Sequence, residues 1–196
     1  PGRAFETVAL TIKNKEMLPA VDLHCVDVLA NGDVDLTWQP TTDVSGTSFL
    51  AYEIWSLEDG FIASIPTIAT SNYTIAGANA DLGAKHYYIL TKFGCNGNNV
   101  VSSDTLSTIF LNMSDLADGR VLLTWNDLHI PANGGDDLFY EIYREYPAGT
   151  WVLRGTKAFG TANIVRDTID ICDAFQRYEI RIHNAAGCVS TSNSPG

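Results

Sequence analysis

Apolar and polar positions alternate along much of this chain with a period of two. Val34, Leu36 and Trp38 are interleaved with Asp33, Asp35 and Thr37, and Tyr178, Ile180 and Ile182 with Glu179, Arg181 and His183. Successive side chains of a β-strand point to opposite faces, so this spacing predicts strands with one buried and one wetted face. Gly next to Asn or Asp punctuates the runs at Asn31-Gly32, Asp59-Gly60, Asp118-Gly119 and Asn133-Gly134-Gly135, the chemistry of tight turns. No segment carries helical periodicity over three turns. The expected fold class is all-β.

One pattern occurs twice. Gly32-Asp33-Val34-Asp35-Leu36-Thr37-Trp38 returns as Gly119-Arg120-Val121-Leu122-Leu123-Thr124-Trp125, and Tyr52-Glu53-Ile54 returns as Tyr140-Glu141-Ile142. Tyr88 is matched to Tyr178, and the three spacings are 87, 88 and 90 residues. A unit of that length is too long for a solenoid repeat and close to the roughly 100 residues of an immunoglobulin-like β-sandwich. Two tandem sandwiches are therefore expected, over residues 17–106 and 107–196, with residues 1–16 as an N-terminal extension or the end of a preceding module. The join, residues 104–111, is rich in strand-forming residues and has no Pro/Gly/Ser linker, which predicts a semi-rigid pair. The predicted core comprises Val34, Leu36, Trp38, Tyr52, Ile54 and Tyr88, repeated as Val121, Leu123, Trp125, Tyr140, Ile142 and Tyr178.

Composition narrows the function. The 196 residues are 45% hydrophobic and 18% charged, enough to fill two cores. A net charge of −11 leaves no basic patch to neutralise phosphates, so neither nucleic acid nor an anionic membrane is an expected partner. No apolar run approaches the roughly 20 residues of a membrane helix, and no membrane insertion is expected. Nucleophile-elbow, zinc-protease, phosphate-loop and dinucleotide motifs are missing, and His24, His86, His129 and His183 are scattered. The expectation is a non-enzymatic chain without a cofactor. The chain opens at Pro1 and closes on Ser194-Pro195-Gly196 where a strand should still be running, so both ends are expected to be cuts within a larger protein, with any signal peptide upstream.

Cys25, Cys95, Cys172 and Cys188 form two widely spaced pairs, one per repeat, with no C-x-x-C and none of the close spacing of a zinc site. An even count in an acidic all-β chain points to disulfides and an oxidising, extracellular or cell-surface compartment. Four cysteines allow three connectivities. Pairing within each repeat is expected, Cys25 with Cys95 at one end of the first sandwich and Cys172 with Cys188 in the second, although a straight hairpin would hold the latter two apart.

Two further groups are candidates for binding. Tyr52 and Ile54 pointing inward turn Trp55 outward, and the same alternation turns Tyr143 outward, with Tyr146 and Trp151 on the adjoining hairpin. Flat aromatics stack on sugar rings and anchor protein partners, so Trp55, Tyr143, Tyr146 and Trp151 are the candidate contacts for a glycan or a protein; cross-strand packing is the competing role. The loop 126–137 offers oxygens from Asn133, Asp136 and Asp137 as a weak calcium candidate, without EF-hand spacing.

Trp on the second strand, Tyr-x-Ile on the third, and Leu82 followed six positions later by Tyr88 resemble the fibronectin type III pattern, in which the Leu and Tyr form a corner between strands; Cys172 stands at that Leu position in the second repeat. Leu23-His24-Cys25-Val26, Gly94-Cys95-Asn96-Gly97-Asn98 and Gly187-Cys188-Val189-Ser190-Thr191-Ser192-Asn193 further resemble repeat regions of large secreted Bacteroidetes proteins, including those ending in a gliding-motility-associated, type IX secretion C-terminal domain. That resemblance implies export and a spacer or display role at the cell surface, tied to adhesion or gliding motility. Its partners would be other domains of the same parent protein. The alternative it leaves is an adhesive module that grips a surface glycan or protein through the exposed aromatics.

Overall fold

The structure, a computed structural model, describes residues 16–94, 97–130, 139–171 and 175–196. The first half contains β1 (Asp22–Val28), β2 (Val34–Gln39), β3 (Phe49–Ser56), β4 (Gly60–Ile65), β5 (Asn72–Ile75), β6 (His86–Phe93), β7 (Asn99–Ser102) and β8 (Thr105–Ser107). The second contains β9 (Leu111–Asp115), β10 (Arg120–Trp125), β11 (His129–Ile130), β12 (Phe139–Glu145), β13 (Trp151–Ala158), β14 (Ile164–Thr168), β15 (Arg177–His183) and β16 (Val189–Thr191). There is no helix among the described residues, hence none long and apolar enough to cross a membrane.

Every pairing is antiparallel, and one arrangement occurs twice. Sheet β1-β2-β5 packs against β4-β3-β6, with β7 and β8 continuing the far edge; sheet β9-β10-β14 packs against β13-β12-β15-β16. These are two immunoglobulin-like β-sandwiches of fibronectin type III-like strand order. The inward faces are the alternating positions expected from the sequence. Trp38 meets Tyr52 edge to face at 5.8 Å, and Trp125 meets Tyr140 likewise at 5.6 Å. Each tyrosine keeps its hydroxyl paired while its ring is buried. Tyr52 Oη donates to the Ile68 carbonyl at 2.8 Å and accepts from Thr41 N; Tyr140 Oη donates to Asp127 Oδ1 at 3.3 Å and accepts from Leu128 N.

Tyr88 is a correction. Tyr87 and Ile89 are the buried positions of β6, whereas Tyr88 faces outward, and Leu82 is 77% exposed and forms no corner with it. Register settles the match: Ser56 pairs with Tyr87 as Arg144 pairs with Tyr178, so Tyr87 is the counterpart of Tyr178, 91 residues away. Residue spacing drifts as connections change length between the repeats, and in a period-two strand an error of one residue exchanges the faces.

The join is continuous β-structure. β8 pairs with β6 on one side and with β11 of the second sandwich on the other. Asn126 locks the corner: its amide nitrogen donates to Ser107 Oγ at 2.8 Å and the Thr108 carbonyl at 2.9 Å, and its Oδ1 accepts from Phe110 N at 2.7 Å. Leu106, Ile109, Leu111 and Leu128 are buried, and one hydrophobic cluster runs through both sandwiches. Residues 1–15 of the expected N-terminal extension, Cys95, Cys172 and the calcium candidates Asn133, Asp136 and Asp137 lie outside the described residues. Among the described residues no three His, Cys, Asp or Glu side chains are grouped to hold a metal ion.

Candidate functional site at the junction of the two sandwiches

A sandwich edge strand presents unpaired amides and carbonyls, which invite another chain. In this protein two such edges close on each other. β1 of the first sandwich lies beside β16 of the second without a backbone ladder, and side chains make the connections instead. Val26 N donates to Ser190 Oγ at 3.0 Å, and Thr191 N donates to Asp27 Oδ1 at 2.8 Å. Ser190 is fully buried, so it and Asp27 satisfy backbone donors that would otherwise lose water for nothing.

A covalent bond sits on this seam. Cys25 is bonded to Cys188, with Cα atoms 6.2 Å apart and 163 residues between them in sequence. The expected pairing of Cys25 with Cys95, and with it that of Cys172 with Cys188, is overturned. The physical reason is the fold-back. Pairing within repeats treats each sandwich as closed on itself, whereas the free edge of β1 faces the neighbouring sandwich, and Cys188 immediately precedes the strand it meets.

Burial raises the Asp27 carboxyl above its ordinary range, with the Asp35 charge adding to it and the Thr191 hydrogen bonds opposing. Burial likewise raises Glu179, although Arg181 pairs with it and Ser194 Oγ lies 3.5 Å from its Oε2. Next to these groups a cleft of about 600 Å³ opens between the β1–β2 turn (Val28, Leu29, Ala30) and the outer face of the second sandwich (Glu145, Trp151, Arg177, Glu179, Thr191). A second hollow of about 410 Å³, sharing Val28, Leu29, Ala30, Glu179 and Thr191, continues it past Asp27, Arg181 and His183.

The four aromatic candidates do not form one site. Trp55 is half-buried on the first sandwich, edge-on to Phe61 at 5.5 Å and stacked with Tyr88 at 6.4 Å, its Nε1 donating to Glu53 at 3.3 Å. Tyr143 lies beneath the Arg181 guanidinium, 4.2 Å from the ring centre, and its hydroxyl donates to Glu141 at 2.9 Å. Tyr146 is 40% exposed on the β12–β13 turn. Trp151, which lines the cleft, is 5.8 Å from the same guanidinium.

No family model matches this chain, and no curated protein matches it. Among solved structures it is similar to the central fibronectin-III array of RIM-binding protein, at 11% identity over 91% of this chain and 70% of that one, with a TM-score of 0.40. It is the order of strands in the two sheets that makes this chain fibronectin type III-like.

Sequence reasoning reached Trp151 and all four cysteines but not the partners at the seam. Asp27 and Ser190 are ordinary strand residues by type. The one available signal was the Ser190-Thr191-Ser192-Asn193 run, a line of small hydrogen-bonding side chains where a solvent-facing edge strand has no need of them. Ser192 and Asn193 turn out to be buried as well: Ser192 Oγ accepts from Ile180 N at 2.9 Å, and Asn193 holds both the N–H and the carbonyl of Leu111.

Proposed function

We propose that this chain is a non-enzymatic spacer and display segment of a larger secreted or cell-surface protein, which sets the distance and angle between the parts it connects. The observation that carries this reading is the seam between the sandwiches. A disulfide with two side-chain-to-backbone hydrogen bonds at one place, and the β8–β11 pairing at another, hold the modules together. A linker whose role were only to tether would need none of them. An interdomain disulfide persists only where thiols are oxidised, which supports an extracellular setting. The cysteine-bearing segments that resemble repeat regions of secreted Bacteroidetes proteins support export by a type IX route and a part in adhesion or gliding motility. Small-angle scattering of the oxidised chain tests the spacer role: one rigid shape with both sandwiches at the seam is expected, whereas a profile that requires an ensemble of inter-module angles overturns it.

A further inference from the structure

The junction encloses a cleft that its own residues leave incompletely filled, and its lining is chemically mixed. One wall is apolar, made by Val28, Leu29 and Ala30 of the β1–β2 turn with Pro195, and the indole of Trp151 stands among the polar groups. Both signs of charge are present: Asp81, Glu145 and Glu179 on one side of the balance, Arg177 on the other, with Arg181 in the adjoining hollow. The volume falls within the roughly 300–1,000 Å³ of small-ligand sites. Its position at a module interface is also where such sites concentrate.

The decisive spacing is between Glu145 and Arg177. Arg177 Nε and Glu145 Oε2 form an ion pair at 3.9 Å, too long for a direct hydrogen bond, so a group beside the pair can accept from one and donate to the other. The other Glu145 oxygen is already taken by Gly149 N, which fixes the carboxylate. A hydroxyl can bridge the two from the side; an ammonium cannot accept from Arg177, and a carboxylate cannot donate to Glu145. Three carboxylates and the chain's charge of −11 repel an anion, and a cation at this pair would sit against the Arg177 guanidinium. What remains is a neutral ligand with hydroxyls around an apolar ring face.

We propose that the inter-module cleft binds a neutral saccharide, with Trp151 against a sugar face and the Glu145–Arg177 pair bridging a hydroxyl. The inference goes beyond the spacer role and rests on the geometry of the junction, not on what the segment displays. It moves the glycan contact away from Trp55, which stacks on Tyr88, and Tyr143, which lies 4.2 Å beneath Arg181, to Trp151, from which the same guanidinium stands farther off at 5.8 Å, in a site made jointly by the two sandwiches.

The experiment is nuclear magnetic resonance titration of the oxidised chain, following tryptophan indole N–H signals, with cellobiose, chitobiose, maltose and mannobiose as probes and lysine and inorganic phosphate as controls. A Trp151→Phe variant assigns that signal. At least one disaccharide is expected to shift it in a saturable manner, with neither control doing so. Trp151→Ala should weaken binding by about tenfold or more, the loss of one stacked ring. Glu145→Gln should weaken it while leaving the thermal midpoint near that of the parent. Leu29→Arg, which enters the cleft from the first sandwich only, should abolish it. The proposal is overturned if none of the four sugars shifts the Trp151 indole, if lysine or phosphate shifts it in their place, or if sugar binding survives Leu29→Arg. Scattering without ligand reads the spacer role separately, so either reading can fail alone.

Discussion

Cys25 and Cys188 are covalent partners across the two sandwiches, so the chain is closed into a ring spanning 163 residues of sequence. Cross-linking so long a loop removes chain entropy from the unfolded state worth about 5 kcal/mol. Peptide mapping without reductant should return Cys25 joined to Cys188, and Cys188→Ser should lower stability by about 3–5 kcal/mol. Recovery of Cys25 joined to Cys95, or a loss under about 1 kcal/mol, would show that the seam forms by other means.

Tyr178 and Tyr87 occupy matching places with opposite polar environments. Tyr178 Oη donates to Asp167 Oδ2 at 2.9 Å, and burial above all, with that carboxylate next, pushes its pKa up to about 12. Tyr87 Oη is buried with no hydrogen-bond partner among the described residues. A bond to a charged acceptor contributes about 1.5–3 kcal/mol, whereas a buried orphan hydroxyl costs free energy. Denaturant unfolding should show Tyr178→Phe losing about 1.5–3 kcal/mol and Tyr87→Phe losing nothing or gaining. Equal losses in the two variants would contradict this assignment.

Asp43 ties together the loop between β2 and β3. Its Oδ2 accepts from Ser48 N at 2.7 Å and Phe49 N at 2.8 Å, and its Oδ1 from Ser45 Oγ at 2.6 Å and Gly46 N at 3.0 Å. The Ser45 bond first, then the backbone donors, lower its pKa to about 2 from an ordinary 3.8. A carboxyl depressed by folding stabilises the native state above its unfolded pKa, and that contribution fades as pH falls through the folded one. Asp43→Ala should therefore melt below the parent at pH 7, with the gap narrowing from pH 4 downward and small near pH 2. A gap that stays constant over that window would rule out the linkage.

Gly32 and Gly119 hold the same turn in the two repeats, with φ of +80° and +77°. Alanine is strained at either, by about 1–2 kcal/mol. A Cβ on Gly32 would in addition fall 2.4 Å from Asp81 Oδ1, while one on Gly119 meets nothing within 4 Å. Gly32→Ala should be the more damaging of the two in thermal melts, and Gly32→Ala with Asp81→Ala should recover the difference. Equal midpoints for the two single variants would show that Asp81 yields freely.

The fold was legible in the sequence because burial on one face of a strand leaves a local mark. Val34, Leu36 and Trp38, with their repeat at Val121, Leu123 and Trp125, carry that mark. Tyr88 was misplaced because two adjacent tyrosines both satisfy an aromatic expectation, and only pairing with β3 tells them apart. The junction was illegible for a different reason. Which strand edge meets which depends on the angle between two bodies, and no short window of residues records that angle. Cys25 shows the limit: its chemistry was evident, its partner was not.

The ring closed by Cys25 and Cys188 also governs how the protein carries tension. Pulling on the chain before Cys25 and after Cys188 loads the start of β1 and the whole of β16 and then passes through one covalent bond, so the residues between the two cysteines stay out of the path. The enclosed residues would be roughly 550 Å long if extended, and while the bond is intact none of that length can be paid out. Under shear such a segment behaves as an inextensible link. Reduction of a single bond converts it into an elastic one with two domains in reserve.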